Sequence, residues 1–277
     1  MVVLLVSHGA ATLTARSSDA TQRALRSAGA SLRAVAGAGS CLLVVSAHDC
    51  RADGFGVRTG EWVTAENDHP AADSLPPWRC RGDAAVAAQA RALLEAAGLP
   101  VSTVASSHTG LDHGAWLPLR ALDPTGAHFA VVAVSLWSGG GSGSHLALGQ
   151  ALVPLLRCGP AGEAPVVACL VASGGLTHNQ AEFRRGYLAG EEASGPPDAR
   201  SSAFADWAVT ALSLPEAARV EALLRGAEAH PHFAWCHPTA EHWWPTLVAA
   251  GAAAGDGASV LHSGYQHSLS TALVRFG

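Results

Sequence analysis

The chain has 277 residues, enough for one large α/β domain with a substantial core. Charged residues make up 14%, the formal net charge is −5, and all seventeen cationic side chains are arginine. There is no basic stripe with interleaved aromatics and no apolar run near the ~20 residues that span a bilayer, which argues against nucleic acid and membrane as partners.

The cysteines Cys41, Cys50, Cys80, Cys158, Cys169 and Cys236 are scattered without a CxxC pair. That usage fits a reducing compartment better than a disulfide framework. The apolar start, MVVLLV, carries no basic flank and no cleavage pattern, so a soluble, cytoplasmic protein is expected. Histidine is the outstanding feature of the composition, with fourteen in the chain.

In chain order, continuous apolar runs at 2–6, 41–45, 101–105, 129–136 and 165–172 predict β-strands, each rich in β-branched residues. Helices are predicted over 11–36, 83–97, 146–156, 216–227 and 247–254. Strands that are apolar throughout and alternate with helices indicate a sheet buried on both faces. The expected fold class is therefore α/β, a single domain over 1–277 with a central, mostly parallel or mixed sheet flanked by helices. Segments 50–80 and 186–203, rich in Gly, Pro, Asp and Glu, read as insertions over the sheet.

The first strand runs into Ser7-His8-Gly9, the second into Ser46-Ala47-His48, and the run at 165–172 into Ser173-Gly174-Gly175-Leu176-Thr177-His178. Open α/β sheets place their sites at the carboxyl ends of strands, where neighbouring loops converge. One histidine at a strand end is usually a turn or hydrogen-bonding residue. Several at one edge, together with the cluster CHPTAEHWWP at 236–245, point to a metal site, because neutral imidazole is the commonest metal ligand among side chains. Within that cluster Glu241 and His242 are adjacent and so unlikely partners on one ion, since neighbours on a helix or strand point in different directions. Pro245 marks the first turn of the following helix.

Ser7-His8-Gly9-Ala10, Ser46-Ala47-His48, the block GLDHGAWLPL at 110–119, Gly175-Leu176-Thr177-His178-Asn179, and His237-Pro238 through Glu241-His242 stand in the order found in the class III extradiol ring-cleavage dioxygenases. The DOPA-dioxygenase-like branch is the part of that family the chain resembles most. The resemblance implies a mononuclear non-haem iron(II) enzyme that opens a catechol ring beside its two hydroxyls with O2. It implies His8, His48 and His242 as metal ligands, His178 as the acid–base histidine, and His113 as a second active-site histidine contacting a substrate hydroxyl or oxygen. Relatives with a carboxylate as third ligand leave a role for Glu241 open, and His237 is expected to anchor the loop or to support the ligands from behind, with ligation the lesser alternative. Fe(II) is the expected cofactor, and Zn(II) suits the same ligands. The expected partners are a small catechol and O2, with a homodimer compatible with the sequence. Residues 49–80 depart from the family pattern and are expected to shape the substrate pocket. Two alternatives stand beside this reading: a zinc-dependent hydrolase on the same three histidines, and a non-enzymatic metal-binding member of the family.

Overall fold

The computed structural model describes residues 1–8, 20–66, 68, 75–105, 108–157, 166–188, 197–266 and 268–277. β1 (Val3–Ser7) is followed by α1 (Ala20–Val35), β2 (Cys41–Ser46), and the short strands β3 (Cys50–Arg51), β4 (Phe55–Thr59), β5 (Trp62–Ala65) and β6 (Arg79–Gly82). Next come α2 (Ala84–Ala96), β7 (Val101–Ala105), β8 (His108–Leu111), α3 (His113–Leu122), β9 (Ala130–Trp137), α4 (Ser142–Leu156) and β10 (Val167–Gly174). The remainder holds α5 (Gln180–Leu188), α6 (Ala199–Leu212), α7 (Glu216–Glu221), α8 (Ala227–Ala229), α9 (Phe233–Cys236), α10 (Trp244–Ala253), β11 (Ala258–His262), β12 (Tyr265–Gln266), β13 (Leu269–Ser270) and β14 (Leu273–Phe276).

The strands form one large mixed sheet in the order β11-β14-β1-β10-β2-β9-β6-β5-β8, giving a single α/β domain. Its centre is parallel: β1 pairs with β10, β10 with β2, and β2 with β9. Antiparallel β14 and β11 extend it beyond β1. Successive side chains on a strand point to opposite faces, and both faces are covered. Val3 and Leu5 of β1 and Cys41, Leu43 and Val45 of β2 belong to the core on one side, which holds residues of α2, α4, α6 and α10. Leu4, Val6, Leu42 and Val44 belong to the other, with residues of α1 and α3. This double burial is why these strands read as unbroken apolar runs instead of alternating ones.

The five apolar runs all form strands, with ends shifted by one or two residues. Segment 50–80 differs from the expectation. Its described residues contribute β3 to β6 to the sheet instead of lying over it. These strands are only two to five residues long and mix arginine and glycine with apolar residues, so they carry no continuous run. Residues 11–19 of the first predicted helix, and 189–196 of the second loop, lie outside the described residues. The helix predicted over 216–227 is broken by a wide π-type turn at Ala222–Gly226. Among the described residues no helix is long and apolar enough to cross a membrane.

Two glycines set how closely α4 and α10 cross. A Cβ on Gly149 would lie 2.1 Å from the carbonyl oxygen of Val248, and one on Gly251 2.2 Å from that of Leu146. Alanine in a helix interior is ordinarily favoured over glycine by about 1 kcal/mol. Here both obstructions are backbone atoms of the opposite helix, so the helices must separate, at about 1–3 kcal/mol for such overpacking. Packing outweighs propensity, and Gly149→Ala and Gly251→Ala are each expected to lower the urea midpoint. A raised midpoint in either variant would contradict the close crossing.

His145 of α4 is fully buried between Trp244, on which it stacks at 4.2 Å between ring centroids, and the edge of Phe55. Burial pushes its pKa down to about 4, opposed by the bond from Nδ1–H to the carbonyl of Gly141. In the unfolded chain the same imidazole titrates near 6.5, so between about pH 6.5 and 4 the unfolded state binds the extra proton. Stability from keeping this ring neutral is present above that window and lost as pH falls through it. In metal-free protein, His145→Phe is therefore expected to reduce the slope of unfolding free energy against pH by about one proton, ~1.4 kcal/mol per pH unit. An unchanged slope would rule this account out.

Candidate metal centre

Register places the site. Ser7 at the end of β1 lies level with Gly174 of β10, and Ser173 lies level with Ser46 of β2. His8 and His48 follow those ends and so emerge at one edge of the sheet, where Nε2 of one comes within 2.9 Å of Nε2 of the other. The third histidine arrives from the far end of the chain, in the turn before α10. Nitrogen atoms of His8, His48 and His242 all lie within 4.8 Å of one another.

Close backbone approach makes this convergence possible. Gly174 faces the carbonyl oxygen of His242, which a Cβ there would meet at 2.6 Å, and the adjacent Gly175 N–H donates to that oxygen at 3.0 Å. At Gly114, second residue of α3, a Cβ would lie 2.9 Å from Cδ2 of His48 and 2.5 Å from Oγ of Ser46. The glycines after β10 and in the LDHG block are thus spaces for ligand-bearing segments.

Hydrogen bonds orient the rings. The Ser173 hydroxyl donates to the carbonyl of Gly114, so its oxygen accepts from Nδ1–H of His8, at 2.9 Å. That leaves Nε2 of His8 unprotonated, the state a metal ligand requires. Ser46 accepts from the backbone N–H of His48 and donates to Asp112 at 2.6 Å. Asp112 also caps α3 by accepting from the backbone N–H of Ala115. One polar network therefore joins β2, β10 and the start of α3 beneath the histidines.

Burial, and then the neighbouring imidazoles, depress the pKa of His8 and His242 well below the ordinary histidine value. Both are consequently neutral at neutral pH and able to ligate. Nε2 of His242 is buried without a hydrogen-bond partner among the described residues. A buried, unpartnered imidazole nitrogen is costly unless something binds it. The three converging nitrogens, and the orphaned nitrogen on one of these same rings, fit a bound metal ion.

His178 stacks on His242, with ring centroids 3.3 Å apart and planes within 4°. Burial, followed by His237 and His48, pushes its pKa down to about 3. His113 packs 4.2 Å from His48 and 5.9 Å from His8 between centroids. All five sequence-predicted histidines are therefore brought together. Glu241 does not join the converging nitrogens. Among the described residues its Oε2 is buried without a partner, and its charge, after burial, helps push the Cys50 thiol up to about 12. His237 donates from Nε2 to the carbonyl of Leu176 at 3.0 Å and packs against Phe204, Phe233 and Trp243.

Sequence reasoning missed the supporting residues. Ser46, Ser173 and Asp112 stand within motifs read only for their histidines. Asp68, from the segment that departs from the family pattern, accepts from both the backbone N–H and Nδ1–H of His113, and nothing in its surroundings in the sequence marks it. A cavity of about 500 Å³ opens between β5, β6 and α3, lined by Glu66, Trp78, Arg79, Trp116 and Arg120 among others. None of the clustered histidines lines it.

Comparison with known proteins shows what the chain is similar to. The chain is 30% identical over 167 residues to a protein of Beta vulgaris named 4,5-DOPA dioxygenase extradiol, covering 58% of this chain and 53% of that one. It is 27% identical over 177 residues to the 4,5-DOPA dioxygenase extradiol-like protein of Schizosaccharomyces pombe, covering 62% of this chain and 52% of that one. The match thus spans about half the length of these curated relatives. The crystal structure of the uncharacterized protein JW3007 from Escherichia coli K12 has the same fold, with a TM-score of 0.75 and 24% identity over the whole of both chains. Residues 3–276 match the family described as the catalytic LigB subunit of aromatic ring-opening dioxygenase, and the chain belongs to that family.

Proposed function

We propose that this protein is an iron(II)-dependent extradiol dioxygenase that opens the ring of a small catechol beside its two hydroxyls. The observation that carries the proposal is the convergence of His8, His48 and His242, with an orphaned buried Nε2 on His242 and with His178 and His113 packed around them. A bound iron(II) would supply Lewis acidity toward both catechol oxygens and an electron path to O2. His8, His48 and His242 would hold it through three imidazoles, leaving its other positions to substrates. The reaction balances without an external reductant: one ring C–C bond breaks, the catechol is oxidised, and both atoms of O2 enter a ring-opened semialdehyde.

His178 is the proposed acid–base group. Being neutral, it is able to accept a proton from a phenolic hydroxyl at its ring nitrogen and later return it. Its low basicity reflects burial and neighbouring imidazoles, and the negative charge of a catecholate brought against it acts in the opposite sense. His113, which packs beside His48, is the proposed hydrogen-bonding partner of a substrate hydroxyl or oxygen. Among the described residues Cys41, Cys50, Cys80, Cys169 and Cys236 are free thiols, which supports a reducing, cytoplasmic setting.

Anaerobic loading with Fe(II), followed by O2 uptake and absorbance scans on DOPA, protocatechuate and caffeate, tests the proposal. A yellow semialdehyde formed with one O2 per catechol is expected, and is expected to vanish in His8→Ala and His242→Ala. Tight iron binding without uptake on any catechol would defeat the proposed activity. Zn(II) suits the same ligands but lacks redox chemistry, so zinc-loaded protein is expected to consume no O2.

Removing the Ser173 hydroxyl frees the ring of His8 to rotate and change tautomer. Loss of such an outer partner typically costs about 10–100-fold in metal affinity. Ser173→Ala is expected to weaken Zn(II) binding in a competitive chelator titration by that factor while the protein stays folded. Unchanged affinity would mean that Ser173 does not orient His8.

A further inference from the structure

We propose that Asp68 is the positioning residue of His113, fixing its imidazole as the Nδ1–H tautomer with Nε2 unprotonated. Oδ2 of Asp68 accepts from the backbone N–H of His113 and from its ring Nδ1, both at 2.8 Å. Oδ1 accepts from Nε1–H of Trp116, at 3.4 Å. All three partners are N–H groups, so this is a carboxylate acting as acceptor throughout, and the ring nitrogen facing it carries the hydrogen.

The arrangement is built into the first turn of α3. His113 and Trp116 are three residues apart and so lie on one face of the helix, where a single side chain reaches both. Trp116 is only 1% exposed, so it provides a fixed reference for the carboxylate. The other acidic group here, Asp112, is occupied elsewhere, with Ser46 and the N–H of Ala115. Negative charge at a helix N-terminus is also favourable in its own right. Rotating the His113 ring by half a turn would bring a carbon against Oδ2 and forfeit the ring bond. Asp68 therefore sets both tautomer and orientation of a ring that packs 4.2 Å from His48. The consequence for chemistry rests on the dioxygenase reading above: a hydroxyl of bound substrate meets a hydrogen-bond acceptor at Nε2.

The tautomer is directly measurable by long-range ¹H–¹⁵N correlation spectra of histidine-labelled full-length chain, metal-free and zinc-loaded, with His113→Gln assigning the signals. Wild type is expected to show the Nδ1–H pattern for His113. Asp68→Ala removes the acceptor and is expected to shift His113 toward the Nε2–H form. Asp68→Asn keeps an acceptor oxygen and is expected to retain Nδ1–H. An Nε2–H pattern in wild type, or an Asp68→Ala spectrum identical to wild type, would overturn the assignment. Should Asp68→Ala fail to fold, wild type and Asp68→Asn decide it, loss of Nδ1–H in the latter counting against the proposal. On any catechol that is turned over, Asp68→Ala is expected to lower kcat by about 10–100-fold, the usual cost of an outer-shell partner, with KM little changed and Asp68→Asn partly restored. Equal losses in both variants would point to charge instead of tautomer control and would also count against it. If no catechol is turned over, the proposed activity fails while the spectra still settle the role of Asp68.

Discussion

The parallel register of β1, β10 and β2 is the constraint from which the site follows. Ser7 beside Gly174 and Ser173 beside Ser46 bring the carboxyl ends of three strands to one level. His8 and His48 follow these ends directly, and the glycines after β10 admit the backbone of His242. A slip of one residue on any of these strands would exchange its two side-chain faces, both of which are packed against helices. The cores that hold the sheet in register thus also hold His8 and His48 at one edge of it.

On that frame the polar groups are arranged for neutral, oriented imidazoles. The hydroxyl of Ser173 fixes one ring nitrogen of His8, and Asp68 one of His113. Burial keeps His8, His178 and His242 unprotonated. A cluster of cationic imidazoles would repel itself and any metal ion, whereas neutral ones offer lone pairs. Among the described residues His242 Nε2 is buried without a partner, a cost that a bound metal would offset.

Much of this was legible in the sequence, for a physical reason. Strands buried on both faces must be apolar throughout, so β1, β2, β9 and β10 announce themselves, and the histidines that follow β1, β2 and β10 fall where such sheets place sites. The short strands β3 to β6 were not legible, because two to five residues mixing arginine and glycine carry no run or period. Helix α3 was hidden by its brevity and by an internal proline, Pro118, although Asp112 and Gly114 before and within it shape the site. Asp68 was invisible because its role is purely three-dimensional: it meets His113 across forty-five positions of chain. Whether Glu241 or His242 turns inward was likewise undecided by local geometry, since both precede the first turn of α10. The fold brings a nitrogen of His242 to those of His8 and His48.

In the proposed enzyme these three nitrogens hold the iron. Anomalous diffraction at the iron edge, on crystals of chain loaded anaerobically with Fe(II), tests it most directly. One peak is expected within bonding distance of His8, His48 and His242, with the carboxylate of Glu241 outside it. A peak ligated by Glu241, or one away from the ends of β1 and β2, would contradict it.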